Sequence, residues 1–127
     1  MPKRILVIDD EEGIRKSFIL AFEDTPFEVK TAESGKKGIA MARRRNYDLI
    51  FLDLKMPGLN GVETLKQLRK INDKIPIFIV TAFHQEFLEQ LNQARDEQLD
   101  FELLRKPIDG AMLLAIVMAT FEGPTRY

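Results

Sequence analysis

Acidic, hydroxyl and basic side chains follow the apolar runs of this sequence, at or just beyond the residue where each run ends. Asp9 and Asp10 follow the first run, Asp53 follows the third, and Thr81 and Lys106 follow the last two. If these runs are strands of one parallel sheet, their carboxyl ends share an edge, which is where ligands bind in open α/β sheets. The sequence therefore predicts one site built from residues far apart along the chain.

The three carboxylates predict a magnesium site. Held close together, Asp9, Asp10 and Asp53 would repel one another and raise each other's pKa, so the arrangement requires a cation among them. A few hard oxygen ligands with room for water suit Mg²⁺ better than zinc.

Lys106 and Thr81 extend this site towards an anionic ligand. Lys106 adds a fixed positive charge, and Thr81 adds a hydroxyl donor beside the backbone N–H groups that follow the strand ends. A phosphoryl group, a dianion with several oxygens, fits these donors. Asp53 is the expected acceptor because a carboxylate can attack phosphorus and hold it as an acyl phosphate. Mg²⁺ and Lys106 would neutralise the transferring oxygens, the main catalytic task in phosphoryl transfer.

Alternating strand and helix patterns must position these residues. Apolar runs predict strands at 4–8, 27–31, 48–53, 76–80 (ending on Thr81) and 101–104. Helical spacing and capping residues predict helices at 12–24, 34–44, 60–71, 85–97 and 109–121. Short connections favour right-handed crossovers and a parallel sheet covered on both faces. The predicted fold class is α/β: a flavodoxin-like, doubly wound, five-stranded parallel sheet of order 2-1-3-4-5 with five helices.

Length and composition fit one such domain. The chain has 127 residues, 45% of them apolar, no cysteine, and 19 basic against 20 acidic residues for a net charge of −1. This balance does not favour direct binding of nucleic acid or of an anionic membrane. The longest near-apolar stretch, 111–121, falls short of the ~20 residues of a membrane helix, and the first residues lack a signal-peptide layout. We expect a soluble, cytoplasmic domain at 1–122, with 123–127 as a tail or the start of a linker.

Five short motifs occur in order near the predicted strand ends: Asp9-Asp10, Asp53, Lys55-Met56-Pro57-Gly58, Thr81-Ala82 and Lys106-Pro107. Together they resemble the signature of response-regulator receiver domains of two-component signalling, and the resemblance covers essentially the whole chain. Each motif is common by chance, whereas their ordered combination is specific. The phrase DLKMPGLNGVETL is most similar to receivers of transcription activators and phosphorelay intermediates. The resemblance implies the strand order given above, so these two expectations are not independent.

The resemblance implies how the acids act. Asp53 would accept a phosphoryl group from a phosphohistidine on a sensor histidine kinase or a histidine phosphotransfer protein. Asp10 and Asp53 would bind Mg²⁺ directly, with the main-chain carbonyl of Lys55 as a third protein ligand. Asp9 would act through a metal-bound water.

The resemblance also implies how the signal leaves. Lys106 would bind a phosphoryl oxygen, and the Lys106–Pro107 peptide bond would be cis. Thr81 would move towards the phosphoryl group and carry the signal to the face formed by the fourth helix, fifth strand and fifth helix. The domain would be a switch rather than an enzyme, with no substrate turned over beyond autodephosphorylation of itself.

Two departures from the family pattern follow Thr81. Receivers usually carry an aromatic residue three positions before the lysine, where this chain has Leu103, so the standard aromatic rotation is not expected. Leu103 could pack differently in two states, or Phe101 could substitute through a register shift. Residues 97–100 replace the usual Gly-Ala turn, so the fourth helix or its following loop is expected to be extended or irregular and the most unusual part of the structure.

The fifth helix carries a further expectation, because Thr120 is the only polar residue in 111–121. A surface helix normally has one apolar stripe and one polar face. Either this helix packs more deeply than usual, or its exposed apolar face binds a second copy of the chain or another domain.

Two rival functions remain open at this point. An aspartate-nucleophile phosphatase on a similar sheet would carry a second acid two residues after the nucleophile, where this chain has Lys55. A pseudo-receiver would be a protein-interaction module with an inactive site, although all the functional residue types are present here.

Overall fold

A computed structural model shows the predicted architecture and describes residues 2–82 and 85–123. The strands are β1 (Arg4–Ile8), β2 (Glu28–Ala32), β3 (Leu49–Asp53), β4 (Ile77–Thr81) and β5 (Glu102–Arg105). The helices are α1 (Glu12–Ala21), α2 (Gly35–Arg44), α3 (Gly61–Ile71), α4 (Leu88–Asp96) and α5 (Gly110–Glu122). All neighbouring strands are parallel, in the order β2-β1-β3-β4-β5, which confirms the predicted flavodoxin-like fold.

Side-chain alternation along the strands divides the core into two apolar layers. Leu6 and Ile8 of β1 face α2, α3 and α4, whereas Ile5 and Val7 face α1 and α5. Every residue of β3 and β4 is buried. Because helices cover both faces of the sheet, the central strands are apolar along most of their length, and their polar residues occur where they leave the sheet.

The first helix is shorter than predicted. It ends at Ala21 rather than at residue 24, because the chain turns through Phe22 and Thr25. The Thr25 hydroxyl donates to the Phe22 carbonyl at 2.6 Å and stabilises this turn. None of the described helices combines the length and the apolar character required to cross a membrane.

The β5 register decides which residue occupies the family's aromatic position. β5 begins at residue 102, one residue later than predicted, and Leu103 lies opposite Ile79 of β4. Phe101 precedes the strand and is buried, with the Arg95 guanidinium 4.3 Å from its ring centroid. Leu103 is therefore the residue at that position, and the register shift that would bring Phe101 there is absent.

The α4 region is irregular, one of the two alternatives predicted, but α4 itself (Leu88–Asp96) is shorter than the predicted helix at 85–97 and is not extended. A 3₁₀ turn (Gln85–Phe87) precedes the helix, and no side chain caps its N-terminus. At its C-terminus the Gln98 N–H donates to the Arg95 carbonyl at 2.9 Å, and the Leu99 N–H donates to the Ala94 carbonyl at 3.0 Å. These bonds form a Schellman motif, whose left-handed position usually holds glycine. Gln98 adopts φ 63° there, the only positive φ among the described non-glycine residues.

Replacing Gln98 with glycine should raise the free energy of unfolding by roughly 1 kcal/mol, because the left-handed conformation is costly for a residue with a Cβ atom. Urea unfolding at pH 7 measures the change. Gln93→Gly, within α4, is the matched control and should lower stability by about 1 kcal/mol. A Gln98→Gly protein no more stable than the wild type would contradict the strain assigned to this position.

Candidate functional site

The carboxyl edge of the sheet brings the predicted site residues together. β1 and β3 are neighbours, with Ile8 opposite Leu52, so Asp9 and Asp53 stand at adjacent strand ends. Thr81 is the last residue of β4, and its carbonyl accepts the Lys106 N–H at 2.9 Å. Parallel strands thus deliver four distant parts of the chain to one edge. The Lys106–Pro107 peptide bond is cis, as the resemblance implied.

Three carboxylates lie within reach of a single cation. One oxygen from each of Asp9, Asp10 and Asp53 lies within 4.8 Å of the other two. Asp9 and Asp53 are buried, at 3% and 6% exposure, whereas Asp10 is exposed. A set of oxygen donors, partly buried and partly open to solvent, fits a hard cation that keeps some of its water. The residues present therefore fit the Mg²⁺ ion predicted from the sequence.

Lys106 supplies the counter-charge between the two buried acids. Its Nζ lies 3.3 Å from Asp9 Oδ2 and 3.4 Å from Asp53 Oδ1. Burial opposes the charge on Lys106, but Asp53 and Asp9 outweigh that effect and raise its pKa above the ordinary value. Lys106 is therefore a cation throughout the physiological pH range.

The carboxyl group of Asp53 is a weaker acid than usual. Burial, together with the charge of Asp9, raises the pKa of Asp53 from 3.8 to about 6, although Lys106 and the Leu54 N–H act in the opposite direction. The negative charge of Asp53 is therefore incompletely compensated by the protein. A cation bound among the acids would favour the ionised form.

Asp9 is held in place by contacts that the sequence reasoning missed. The Glu11 N–H donates to Asp9 Oδ1 at 2.9 Å, and the Arg15 guanidinium donates to the Asp9 carbonyl at 2.9 Å. The first contact is an Asx-type turn, which an aspartate between a strand and a helix could have indicated. The contact from Arg15 depends on how α1 is oriented on the sheet, so the sequence carried no signal for it.

Thr81 and Lys55 flank the acids. Thr81 is buried and lies one position beyond Val80, the residue paired with Asp53. The side chain of Lys55 is exposed and forms an ion pair with Glu86 at 3.3 Å. The roles of the Lys55 carbonyl as a metal ligand and of Thr81 in signalling stay predictions.

Gly61 packs directly against the backbone that carries Asp53. Its N–H donates to the Leu54 carbonyl at 2.7 Å. A Cβ atom on Gly61 would lie 2.5 Å from the Asp53 carbonyl oxygen and 2.6 Å from Leu54 Cα. Both are backbone atoms that cannot rotate away, so the start of α3 requires glycine to leave the end of β3 in place.

Replacing Gly61 with alanine should lower the free energy of unfolding by roughly 2–3 kcal/mol, because the strand end carrying Asp53 has to shift. Urea unfolding measures the loss. Gly13→Ala is the control, since a Cβ atom on Gly13 meets nothing within 4 Å, and helix propensity should make that variant up to about 1 kcal/mol more stable. Equal stability of the two variants would contradict the packing constraint.

Known proteins match this chain along nearly all of their length or along only part of it. The family described as the response regulator receiver domain matches residues 5–118. Protein PilH of Pseudomonas aeruginosa is 34% identical over 122 residues, which cover 94% of this chain and 98% of PilH. The alkaline phosphatase synthesis transcriptional regulatory protein PhoP of Bacillus subtilis is 40% identical over 87 residues, which cover 68% of this chain and 36% of PhoP. The chain thus spans nearly all of PilH but about a third of PhoP.

The fold has close counterparts among solved structures. The crystal structure of a CheY-like response regulator receiver domain protein from Methanospirillum hungatei matches with a TM-score of 0.86 at 25% identity, covering 96% of this chain and 95% of that one.

Proposed function

The chain belongs to the response regulator receiver domain family, and from that membership we propose that Asp53 is the phosphoacceptor of a two-component system or phosphorelay. Receiver domains are signalling switches. The observation that carries the assignment to Asp53 is the position of Lys106 Nζ, 3.3 Å from Asp9 and 3.4 Å from Asp53 at the carboxyl edge of the sheet. That arrangement provides a nucleophilic carboxylate, a metal-binding set and a fixed cation in one place.

The proposed metal set follows the carboxylates. Asp10 and Asp53 would hold Mg²⁺ directly, Asp9 through a water, and Lys55 through its main-chain carbonyl. The ion, when bound, would neutralise charge on the phosphoryl oxygens. The mutual reach of the three carboxylates and the raised pKa of Asp53 support this set.

The proposed chemistry is a single displacement on this chain. A carboxylate oxygen of Asp53 attacks the phosphorus of a phosphohistidine, the new O–P bond forms as the P–N bond breaks, and the departing imidazole nitrogen takes up a proton. Lys106 keeps its own proton and binds a phosphoryl oxygen, which offsets the charge gained by the site. With a pKa of about 6, Asp53 is mostly ionised at neutral pH and available as the nucleophile.

The proposed partners are a sensor histidine kinase or a histidine phosphotransfer protein as donor, and an effector reached through Thr81 and the α4–β5–α5 face. On α5, Leu113 and Val117 are the buried residues. Met112 and Met118 are 54% and 38% exposed, which favours the exposed apolar face over deep packing. We propose this face as the contact surface for a second copy or a downstream domain.

Incubation with a small phosphodonor and Mg²⁺ should add one phosphoryl group to the wild-type protein, detectable by intact-mass spectrometry and removable with hydroxylamine, which cleaves acyl phosphates. Asp53→Asn should abolish the addition, whereas the control Asp24→Asn, at an exposed acid remote from the cluster, should retain it. No addition to the wild type would favour the pseudo-receiver. Rapid turnover of the donor with no stable adduct would favour the phosphatase.

A further inference from the structure

The exposed face of α2 carries only positive charge. Residues 34–47 include five basic residues and no acidic one, and all five are exposed: Lys36, Lys37, Arg43, Arg44 and Arg45. With 3.6 residues per turn, the four that belong to the helix project within an arc of roughly 120°. Lys37 pairs with Glu33 at 3.8 Å, whereas the other four form no ion pair with an acid among residues 2–82 and 85–123. We call these five side chains the cationic face.

The α4 region carries the opposite charge. Residues 85–102 include six exposed acidic residues and one basic residue, Arg95, whose guanidinium lies over the Phe101 ring. Glu86, Glu89 and Asp96 line a shallow groove along the outside of α4, and no basic residue lines it with them. Glu86 pairs with Lys55, whereas no described cation forms an ion pair with either of the other two acids. We call this surface the anionic groove.

Helix stability explains only part of either charge pattern. The first turn of a helix favours acids because it is the positive end of the helix dipole, yet Lys36 and Lys37 occupy the first turn of α2. The last turn favours cations, yet Asp96 is the last residue of α4 and Glu97 follows it. One end of each helix therefore carries charges that the helix itself disfavours, which points to a partner outside the helix.

The two charged surfaces lie at opposite ends of one helical layer. α2, α3 and α4 cover the same side of the sheet, and α3 lies between the other two. Two helix spacings, roughly 20 Å, separate the axes of α2 and α4, so the cationic face and the anionic groove cannot neutralise each other within one molecule. Both helices connect parallel strands and therefore run in the same direction. A second copy displaced along the layer would bring its α4 alongside α2 of the first.

We propose that copies of this chain associate head to tail at low ionic strength, with the cationic face of one copy against the anionic groove of the next. A second copy accounts for both surfaces at once, whereas an acidic partner of another kind accounts for the cationic face alone. The contact is heterologous and the two surfaces point apart, so assembly continues beyond a dimer. It does not involve the apolar face of α5, and it does not depend on the function proposed for Asp53.

Sedimentation velocity of the full chain tests the association. The weight-average sedimentation coefficient should rise with protein concentration in low salt and return to the monomer value in high salt, because salt screens exposed charges. Arg44→Glu should weaken the association by roughly 2- to 25-fold, the square of the effect of one exposed ion pair. Lys16→Glu makes the same change of net charge on α1 and should associate like the wild type.

Charge reversal on α4 tests the other surface. Glu89→Lys should weaken the association as much as Arg44→Glu does, because the contact uses one surface from each copy. Glu23→Lys, at an exposed acid just after α1, is the control with the same net charge and should leave the association unchanged. An effect of Arg44→Glu without an effect of Glu89→Lys would overturn the proposal.

Disulfide cross-linking tests the orientation, because the chain has no cysteine of its own. Ala40 is exposed among the cations of α2, and Asn92 lines the anionic groove. Under mild oxidation in low salt, a mixture of the Ala40→Cys and Asn92→Cys proteins should form linked dimers at least about tenfold faster than either protein alone, because the contact raises the effective concentration of the two thiols. Ala40→Cys mixed with Ser17→Cys, at an exposed residue of α1, is the control and should link slowly.

Three results would overturn head-to-tail association. A wild type that stays monomeric at high concentration in low salt would exclude a second copy and favour an acidic partner of another kind. Association that ends at a dimer would indicate an isologous contact. Cross-linking that is equally fast in the Ala40→Cys protein alone and in its mixture with Asn92→Cys would show that the cationic face does not lie against the anionic groove.

Discussion

Replacing Asp53 with asparagine should stabilise the metal-free protein at neutral pH by up to about 3 kcal/mol, although it removes the phosphoacceptor. The pKa of Asp53 rises from 3.8 to about 6 on folding. A raised pKa favours the protonated form in the folded state, so its stabilising contribution is complete below pH 3.8 and is lost as the pH rises through 6. A shift of this size corresponds to about 3 kcal/mol at most. Asparagine does not titrate and avoids the repulsion from Asp9.

The test is urea unfolding of the wild type and Asp53→Asn at pH 4, 6 and 8 with a chelator present. The stability gap should be small at pH 4 and reach its full size by pH 8. Asp24→Asn, at an exposed acid, should show no such trend. Added Mg²⁺ should narrow the gap, because a ligand that binds the folded wild type stabilises it. An asparagine variant less stable than the wild type at pH 8 would show that Lys106 already compensates Asp53 fully.

Replacing Lys106 with methionine should slow phosphorylation by a small phosphodonor by about 10²–10³-fold, the usual effect of losing one group that stabilises charge in the transition state. It should also lower the free energy of unfolding at pH 8 by roughly 1–3 kcal/mol. That loss is smaller than for a fully buried pair, because the Lys106 side chain retains 19% exposure. Its removal leaves Asp9 and Asp53 facing each other without a cation.

The pH dependence separates these effects from a simple packing defect. The loss of stability caused by Lys106→Met should decrease between pH 8 and pH 5, since protonation of Asp53 removes one of the two negative charges that repel each other. Initial rates of phosphodonor labelling at saturating Mg²⁺ give the kinetic effect. Lys16→Met, which removes an exposed lysine from α1, is the control for both measurements. A deficit that is constant with pH would indicate lost packing rather than lost charge.

The strand ends show how much of the site could be predicted from local sequence patterns. Continuous apolar runs, which are typical of strands buried on both faces, indicated the central strands. Asp9, Asp53 and Thr81 could therefore be assigned to strand ends from the sequence. Parallel right-handed connections then allowed only one edge at which those ends could meet. The cluster of acids with Lys106 was predictable for this reason, and the cap residues Ser34, Asn60 and Asp109 were predictable from helix chemistry.

Contacts between elements that are distant in the sequence could not be predicted from local sequence patterns. The sequence around Gly61 does not indicate that a Cβ atom on this residue would lie 2.5 Å from the Asp53 carbonyl oxygen. The sequence around Arg69 likewise does not indicate that its guanidinium donates to the Asp100 carbonyl. The raised pKa of Asp53 likewise required the burial and the charges around it. Such distances and energies depend on how whole elements pack, because packing in a dense core is set by all neighbouring side chains together. The residue types of the site and their order could therefore be predicted from local sequence patterns, whereas the contacts of Gly61 and Arg69 and the energetics of the site depend on how the helices pack on the sheet.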